Sequence, residues 1–536
     1  MYNWLKKNSE YLADAFLLLS ILFLGIHFLE DLESSLDLAF SDEVNYMIRG
    51  LQLGKVNLFP DDSPLYAVCY YLMHFIEADA ISLYYLNWKV TAILPALLFY
   101  LMLRVHKVGN ILSLFYSISL LFSHVNITNW PRISNFCICF VFTVLIIYRI
   151  AKYNYNKLFL LSIFTLIISY IRPEFFISFL FSTFIFVFYL LKHWNYVVSK
   201  RYGILFFFSC LLLSKLFYGF PMFERNSDRF TVAFGQHYVV NKFLRESIWG
   251  IDPWLNWQNY FYPAFGRVSS MAEIFINNPK ALLAHIEFNL YWISVINYVP
   301  IKDFFLPIWF FKTDLELVYF ISIIGLLAII SWKKISKNFT KESVLKFIIS
   351  KIAFITFILP CILSCIIIFP RQHYLYMMNV LFFTFIIFGI KSMIGNLKIK
   401  DLKIIRFTIL IIILMYPGIS DLKSENYFQK KHTPIKWSIN FMNCHNGKIN
   451  LLAREASVSV FLNDNFTCIS SSKKEGEFHA FLRNYCINMI WVSDDLLSDK
   501  AYAGDKGWLD FLRHPDKSGF RKQQMAGMEG YLLVKN

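Results

Sequence analysis

The chain reads as a polytopic α-helical membrane protein of about eleven spans with a small α/β domain after them, and three observations predict this. Hydrophobic residues make up 57% of the 536 and aromatic residues 19%, with a mean hydropathy of +0.47, well above a soluble domain of this length. Charged residues are only 17%, and they gather between apolar runs instead of decorating helix faces. Those runs approach the roughly 20 apolar residues that a bilayer-crossing helix needs.

In order, the apolar runs lie near 11–29, 81–103, 110–125, 133–148, 158–171, 174–191, 203–220, 315–332, 347–369, 374–390 and 404–419. The first follows Lys6 and Lys7, as a signal peptide would. It is long, and acidic residues follow it in place of a small-residue cleavage site, so it reads as an uncleaved anchor. Three segments fall outside the runs. Residues 30–80 form an acidic loop in which Ile48–Leu53 and Leu65–Phe75 read as short amphipathic helices along the membrane surface. Residues 221–314 form a second large loop, with Trp249, Trp254, Trp257, Tyr260, Phe261 and Tyr262 close together. Such rings suit a membrane interface or a platform for stacking sugars. Residues 420–536 alternate short β-rich runs (Ile449–Ala453, Val458–Leu462, Ile487–Val492, Tyr531–Val534) with polar or helical stretches, as a small α/β domain does. The division is therefore 1–419 in the membrane and 420–536 outside it.

Charge sets the orientation. With a cytoplasmic N-terminus, Arg104, Lys107, Arg149, Lys152, Lys333, Lys334, Lys391 and Lys398 all fall inside. Loop 30–80, with Asp31, Glu33, Asp37, Asp42 and Glu43, then lies outside, as does the C-terminus. The net charge of +15 is thus a topology signal, and no nucleic-acid motif accompanies it. The Phe, Ile, Lys and Asn bias suggests a bacterial gene, hence a multi-pass protein of the inner (plasma) membrane with its C-terminus periplasmic. Cys69, Cys444, Cys468 and Cys486 would face an oxidising compartment, and one disulfide among the last three fits it without the pairing being fixed. The nine cysteines show no metal spacing.

Ser41-Asp42-Glu43 stands just beyond the first run, in the loop outside the membrane. An inside N-terminus, one span, and an outside loop opening with an Asp-Glu pair and amphipathic helices together resemble the GT-C glycosyltransferases. That superfamily includes protein O-mannosyltransferases and the bacterial enzymes that decorate lipid A with aminoarabinose. Three further stretches are similar: Ile171-Arg172-Pro173-Glu174 at the end of a span, Pro370-Arg371-Gln372-His373-Tyr374 opening a late span, and the tail with Gly519-Phe520 and Gly530–Val534.

The resemblance implies inverting transfer of a sugar from a polyprenyl-phosphate donor to a cell-surface glycan, lipid or protein acceptor. A hydroxyl attacking an anomeric carbon needs a carboxylate to take its proton, and that role falls to Asp42. Glu43 would orient the acceptor or help Asp42 hold a divalent metal. A departing phosphate needs cations, here Arg371 and His373 beside Tyr374, with Arg172 and Glu174 as the second candidate pair. Each has a plainer reading. Asp42 can cap a helix beginning near Val44, with Glu43 in its first turn. Arg172 and Glu174 can form a structural ion pair, and Arg371 can snorkel to lipid headgroups. His237 carries no motif and reads as structural. Two rival functions stand beside the transferase. A surface-polysaccharide (O-antigen-type) polymerase relies on outside arginines. A transporter or flippase of lipid-linked sugars needs charged residues inside its spans, which are scarce here.

Overall fold

The computed structural model describes residues 2–40, 42–54, 63–123, 126–127, 130–193, 201–221, 227–248, 253–254, 256–296, 341–394, 433–524 and 530–536. The expected spans at 315–332 and 404–419, and Ser41, lie outside the described residues. The described chain is mostly helical. Its first part comprises α1 (Tyr2–Phe28), α2 (Leu32–Ser35), α3 (Asp42–Leu51), α4 (Pro64–His74), α5 (Ala80–Val105), α6 (Asn110–Leu121), α7 (Ile133–Ile150), α8 (Asn154–Ser169) and α9 (Phe176–Lys192). There follow α10 (Arg201–Tyr218), α11 (Ser227–Glu246), α12 (Trp257–Phe265), α13 (Met271–Asn277), α14 (Pro279–Ile296), α15 (Lys341–Ile367) and α16 (Gln372–Ile394).

Among the described residues, four stretches are long and apolar enough to cross a membrane: Glu10–Ser35, Ala80–Val105, Ile133–Ile150 and Pro173–Lys192. Asn110–Leu121, Asn154–Ser169, Leu205–Leu216, Lys351–Ile367 and Tyr374–Phe385 are apolar but shorter. The outward faces argue for a lipid environment. Phe16, Phe23, Phe184, Phe188 and Leu216 are each more than three-fifths exposed, an apolar surface that water would not tolerate. Inside, small polar residues tie helices together. Thr165 Oγ1 and Ser182 Oγ meet at 2.9 Å between α8 and α9, and Ser178 Oγ donates to the Thr356 carbonyl at 2.6 Å between α9 and α15.

The helix expected at Leu65–Phe75 forms as α4, and the one expected at Ile48–Leu53 is instead the end of a longer helix, α3, that starts at Asp42; but α4 is no surface helix. Tyr66, Ala67, Tyr70 and Met73 are buried, and α4 packs between α3 and α5. Gly50 makes the close approach possible: a Cβ there would stand 2.6 Å from Tyr70 Cβ and 2.7 Å from the Ala67 carbonyl.

The C-terminal part is a five-stranded sheet in the order β2-β1-β3-β5-β4, from β1 (Ile449–Ala453), β2 (Phe466–Ser470), β3 (Met489–Val492), β4 (Phe520–Gln523) and β5 (Tyr531–Lys535). β1 runs parallel to β2 and β3, while β5 pairs antiparallel with β3 and β4. Alternation puts Leu452, Ile490, Val492 and Leu533 against the helices Phe478–Asn484 and Lys506–Arg513. Leu451, Met489, Trp491 and Leu532 face the other way, into a core shared with α1, α3, α4 and α5. The expected strand Val458–Leu462 is instead a 3-10 helix, Ala456–Phe461. Val458 and Phe461 are buried there, Phe461 against Phe40 and Tyr84, so packing overrides the β-branched preference. No disulfide forms, and Cys444, Cys468 and Cys486 are free.

This sheet domain is clamped to the first loop through α17 (Pro434–Asn443). Asp37 accepts the backbone N–H of Ile435 at 2.6 Å and of Lys436 at 3.0 Å, capping α17 from a distant segment. Lys436 Nζ reaches the Glu33 carbonyl at 3.2 Å and lies 4.9 Å from the Tyr85 ring centroid.

Candidate functional site

Asp42 and Glu43 both stand in the first turn of α3, so the helix begins at Asp42, not near Val44. Consecutive residues on a helix point about 100° apart, and the two carboxylates go to opposite environments. Asp42 is exposed, whereas Glu43 is 3% exposed.

Glu43 is enclosed by hydrogen-bond donors. Tyr66 and Tyr70, one turn apart on α4, both donate their hydroxyl protons to Glu43 Oε1, Tyr70 at 2.5 Å. Asn87 on α5 donates its amide to the same two phenol oxygens at 2.7 and 2.8 Å, and lies 3.1 Å from Oε1. Burial pushes the Glu43 carboxyl up to about 8, against the lowering effect of the two phenols and with a further push from the Asp42 charge. Glu43 is thus a neutral, fixed member of a three-helix network at pH 7. It does not fit a metal site. Its Oε1 is taken by these donors, and among the described residues no group of three His, Cys, Asp or Glu converges.

A group of arginines gathers around Arg371, which also lies within reach of Asp42. Arg371 immediately precedes α16, and its Cζ is 4.6 Å from the Trp254 ring centroid. Burial holds its guanidinium below the usual range, Arg172 adds to this, and Tyr374 and Asp42 oppose it. Asp42 and Arg371 therefore lie within electrostatic reach across more than three hundred residues of sequence. Burial and then Arg371 pull Arg132, just before α7, down to about 10, and its Cζ is 4.9 Å from the Trp130 ring. Arg172 is already paired. It donates to Glu174 Oε1 at 2.5 Å and Ser134 Oγ at 2.9 Å, and its Cζ is 4.9 Å from the Tyr374 ring. Burial opposes the Arg172 charge, but Glu174 and Tyr374 outweigh it and raise the group. The backbone of His373 is in the first turn of α16; its side chain lies outside the described part.

His237 on α11 belongs to the same place. Its Nδ1–H donates to the Ala233 carbonyl at 2.5 Å, which leaves Nε2 as an acceptor, buried and without a partner among the described residues. The ring meets Trp254 edge-on at 5.2 Å and Phe369 at 5.4 Å. Burial, then Arg371, pulls it down to about 3, so it is neutral. Arg132 is the residue that sequence reasoning passed over, while Trp254 was read only within its ring cluster and His237 only as structural. The aromatic cluster at 249–262 was the only signal for Trp254.

The arrangement offers an exposed carboxylate beside an aromatic-lined group of guanidiniums, two of which, Arg132 and Arg371, repel each other. That is chemistry for an anion and for a proton to be taken near it. Compared with known proteins, the sequence matches no family model and no curated protein.

Proposed function

We propose that this chain is an inverting membrane glycosyltransferase of the GT-C type, with about eleven spans, in a bacterial inner membrane. In this reading the Asp42 end of the helices and the C-terminal domain are periplasmic. The donor is a sugar on polyprenyl phosphate, and the acceptor is a hydroxyl of a surface glycan, lipid or protein. The observation that carries the reading is the exposed Asp42 carboxylate within reach of Arg371, with Arg132 and Arg172 close behind. The acceptor hydroxyl attacks the anomeric carbon and gives its proton to Asp42. The sugar–phosphate bond breaks on the opposite face, and the phosphate leaves onto Arg371 and Arg132, with Tyr374 near Arg371 and His373 a further candidate from the start of α16. Trp254 offers a face for a sugar ring. Glu43 takes no part in proton transfer; with its phenol partners it fixes the turn that carries Asp42. No step requires a metal.

The test is Asp42→Asn, assayed for sugar transfer from a polyprenyl-phosphate donor in purified form. Transfer should fall by about a hundredfold or more. Near-normal transfer by a well-folded variant would remove Asp42 from this role.

The arginine group also favours a second reading, a surface-polysaccharide polymerase acting on an oligosaccharide diphosphate carrier. A laddered product on a gel would select the polymerase; a single added sugar selects the transferase.

A further inference from the structure

We propose that the end of the helices remote from Glu43 carries a second site, for the phosphate headgroup of an anionic membrane lipid. The proposal is independent of the transferase reading. α5 joins the two ends. From Asn87 in the Glu43 network to His106 at its C-terminal cap is roughly 28 Å at ~1.5 Å per residue, close to the ~30 Å of a bilayer's hydrocarbon core.

At that remote end cations from four helices meet. Arg149 is in the last turn of α7, Lys391 is in the last turn of α16, Lys107 follows α5, and Lys351 is on α15. Lys351, Lys391 and Arg149 lie within electrostatic reach of one another, and Lys107 within reach of Lys391. Among the described residues no carboxylate pairs with any of the four. Of the two acids of α1 at this end, Asp14 is taken by Arg104 at 2.7 Å and Tyr100 at 2.6 Å, and Glu10, exposed one turn earlier, also acts on Arg104.

The plain explanation is that basic residues complement the carbonyl ends of helices. It accounts for Arg149, and for Lys391, which donates to the His106 carbonyl at 2.8 Å. It does not account for Lys351. That ammonium is in the body of its own helix, α15, 4.4 Å from the Phe388 centroid and 5.7 Å from Phe354, half-buried on ring faces and with no hydrogen bond to a carbonyl among the described residues. By position that explanation covers Lys107, which closes α5, but not the choice of lysine for a left-handed backbone at φ 63°. Lys107 N–H donates to the Arg104 carbonyl and Val108 N–H to Leu103, an arrangement that usually selects glycine.

Converging like charges repel unless an anion sits among them. A phosphate supplies several acceptor oxygens at once, which suits ammonium and guanidinium donors arriving from different helices. The location selects the source. Arg149 is followed by Ile150, two-thirds exposed, at the end of a helix long enough to cross a membrane, where acyl chains would continue from a headgroup.

The test uses full-length protein in dodecyl maltoside, with its thermal midpoint followed during titration. The probes are dihexanoyl phosphatidylglycerol, dihexanoyl phosphatidylcholine and inorganic phosphate. Wild type should gain a saturable rise with phosphatidylglycerol and none with phosphatidylcholine. In the Lys351→Met/Arg149→Gln double variant the half-saturating concentration should climb at least tenfold. Without lipid that variant should melt no lower than wild type, because the repulsion is relieved and the Met chain still covers the rings. Lys351→Arg keeps the charge and should keep the response. A response to inorganic phosphate that the double variant loses would support the anion site and make its source soluble. Equal titrations for wild type and double variant, an equal response to phosphatidylcholine, or loss of the response in Lys351→Arg would overturn the proposal.

Discussion

Glu43 holds a proton that its unfolded counterpart gives up. Its carboxyl is held at about 8 in the fold against 4.5 unperturbed, so the stability it contributes is complete below about pH 4.5 and is lost as pH rises through about 8. The thermal midpoint of wild type should therefore fall between pH 5 and pH 8 more steeply than that of Glu43→Gln, whose amide cannot ionise. Parallel slopes would show that Glu43 ionises as freely in the fold as outside it. Arg371 gives a second prediction. If it holds the donor phosphate, Arg371→Ala loses a charge-assisted hydrogen bond of about 1.5–3 kcal/mol, and donor affinity drops about tenfold to a hundredfold. Lysine lacks the bidentate fork and should rescue only part of this. Wild-type affinity in both variants would leave Arg371 as an anchor at the interface. Asp42 and Arg371 were legible because each opens a helix beside a recognisable motif. The split between Asp42 and Glu43 was not legible, since it depends on Tyr66, Tyr70 and Asn87 arriving from two other helices. The surroundings of His237 were hidden for the same reason: nothing local tells that Trp254 and Arg371 meet it.

At the scale of elements, the long apolar runs announced themselves by composition, and α1, α5, α7 and α9 fall where expected. Short strands were harder to read. β2 (Phe466–Ser470) and β4 (Phe520–Gln523) were passed over because both are edge strands, and the Arg521 and Lys522 charges that guard β4 also hide it. The α3–α4 pair gives the element its test. Gly50→Ala places a methyl group against the backbone carbonyl of Ala67, which cannot swing aside. The helices must part, at a cost of about 1–3 kcal/mol by the usual measure of overpacking. The thermal midpoint should fall, and hydrogen exchange should rise in α3 and α4 but not in α8 and α9. Unchanged exchange in α3 and α4 would mean that the contact is softer than it looks.

For the whole molecule, the β-rich composition of 420–536 was readable, but its seat against the first loop was not, because no local pattern marks Asp37 as a cap for a helix at the far end of the chain. Asp37→Ala should cost about 1–2 kcal/mol, the usual worth of a helix cap, and should expose the Ile435 and Lys436 amides to exchange while β3 stays protected. Protection unchanged at those two amides would assign the docking to the apolar core alone. The clamp also sets a clock for assembly. Asp37 and Ile435 are separated by 398 residues, so at ~5–20 residues per second the ribosome needs roughly 20–80 s between making one and the other. For that interval the loop that leads into Asp42 has no lid, and its apolar face waits for a partner still unsynthesised. Completion of the loop is a late event in the life of each chain, and a nascent chain stalled before residue 435 would carry every helix of the Glu43 network without the domain that closes over it.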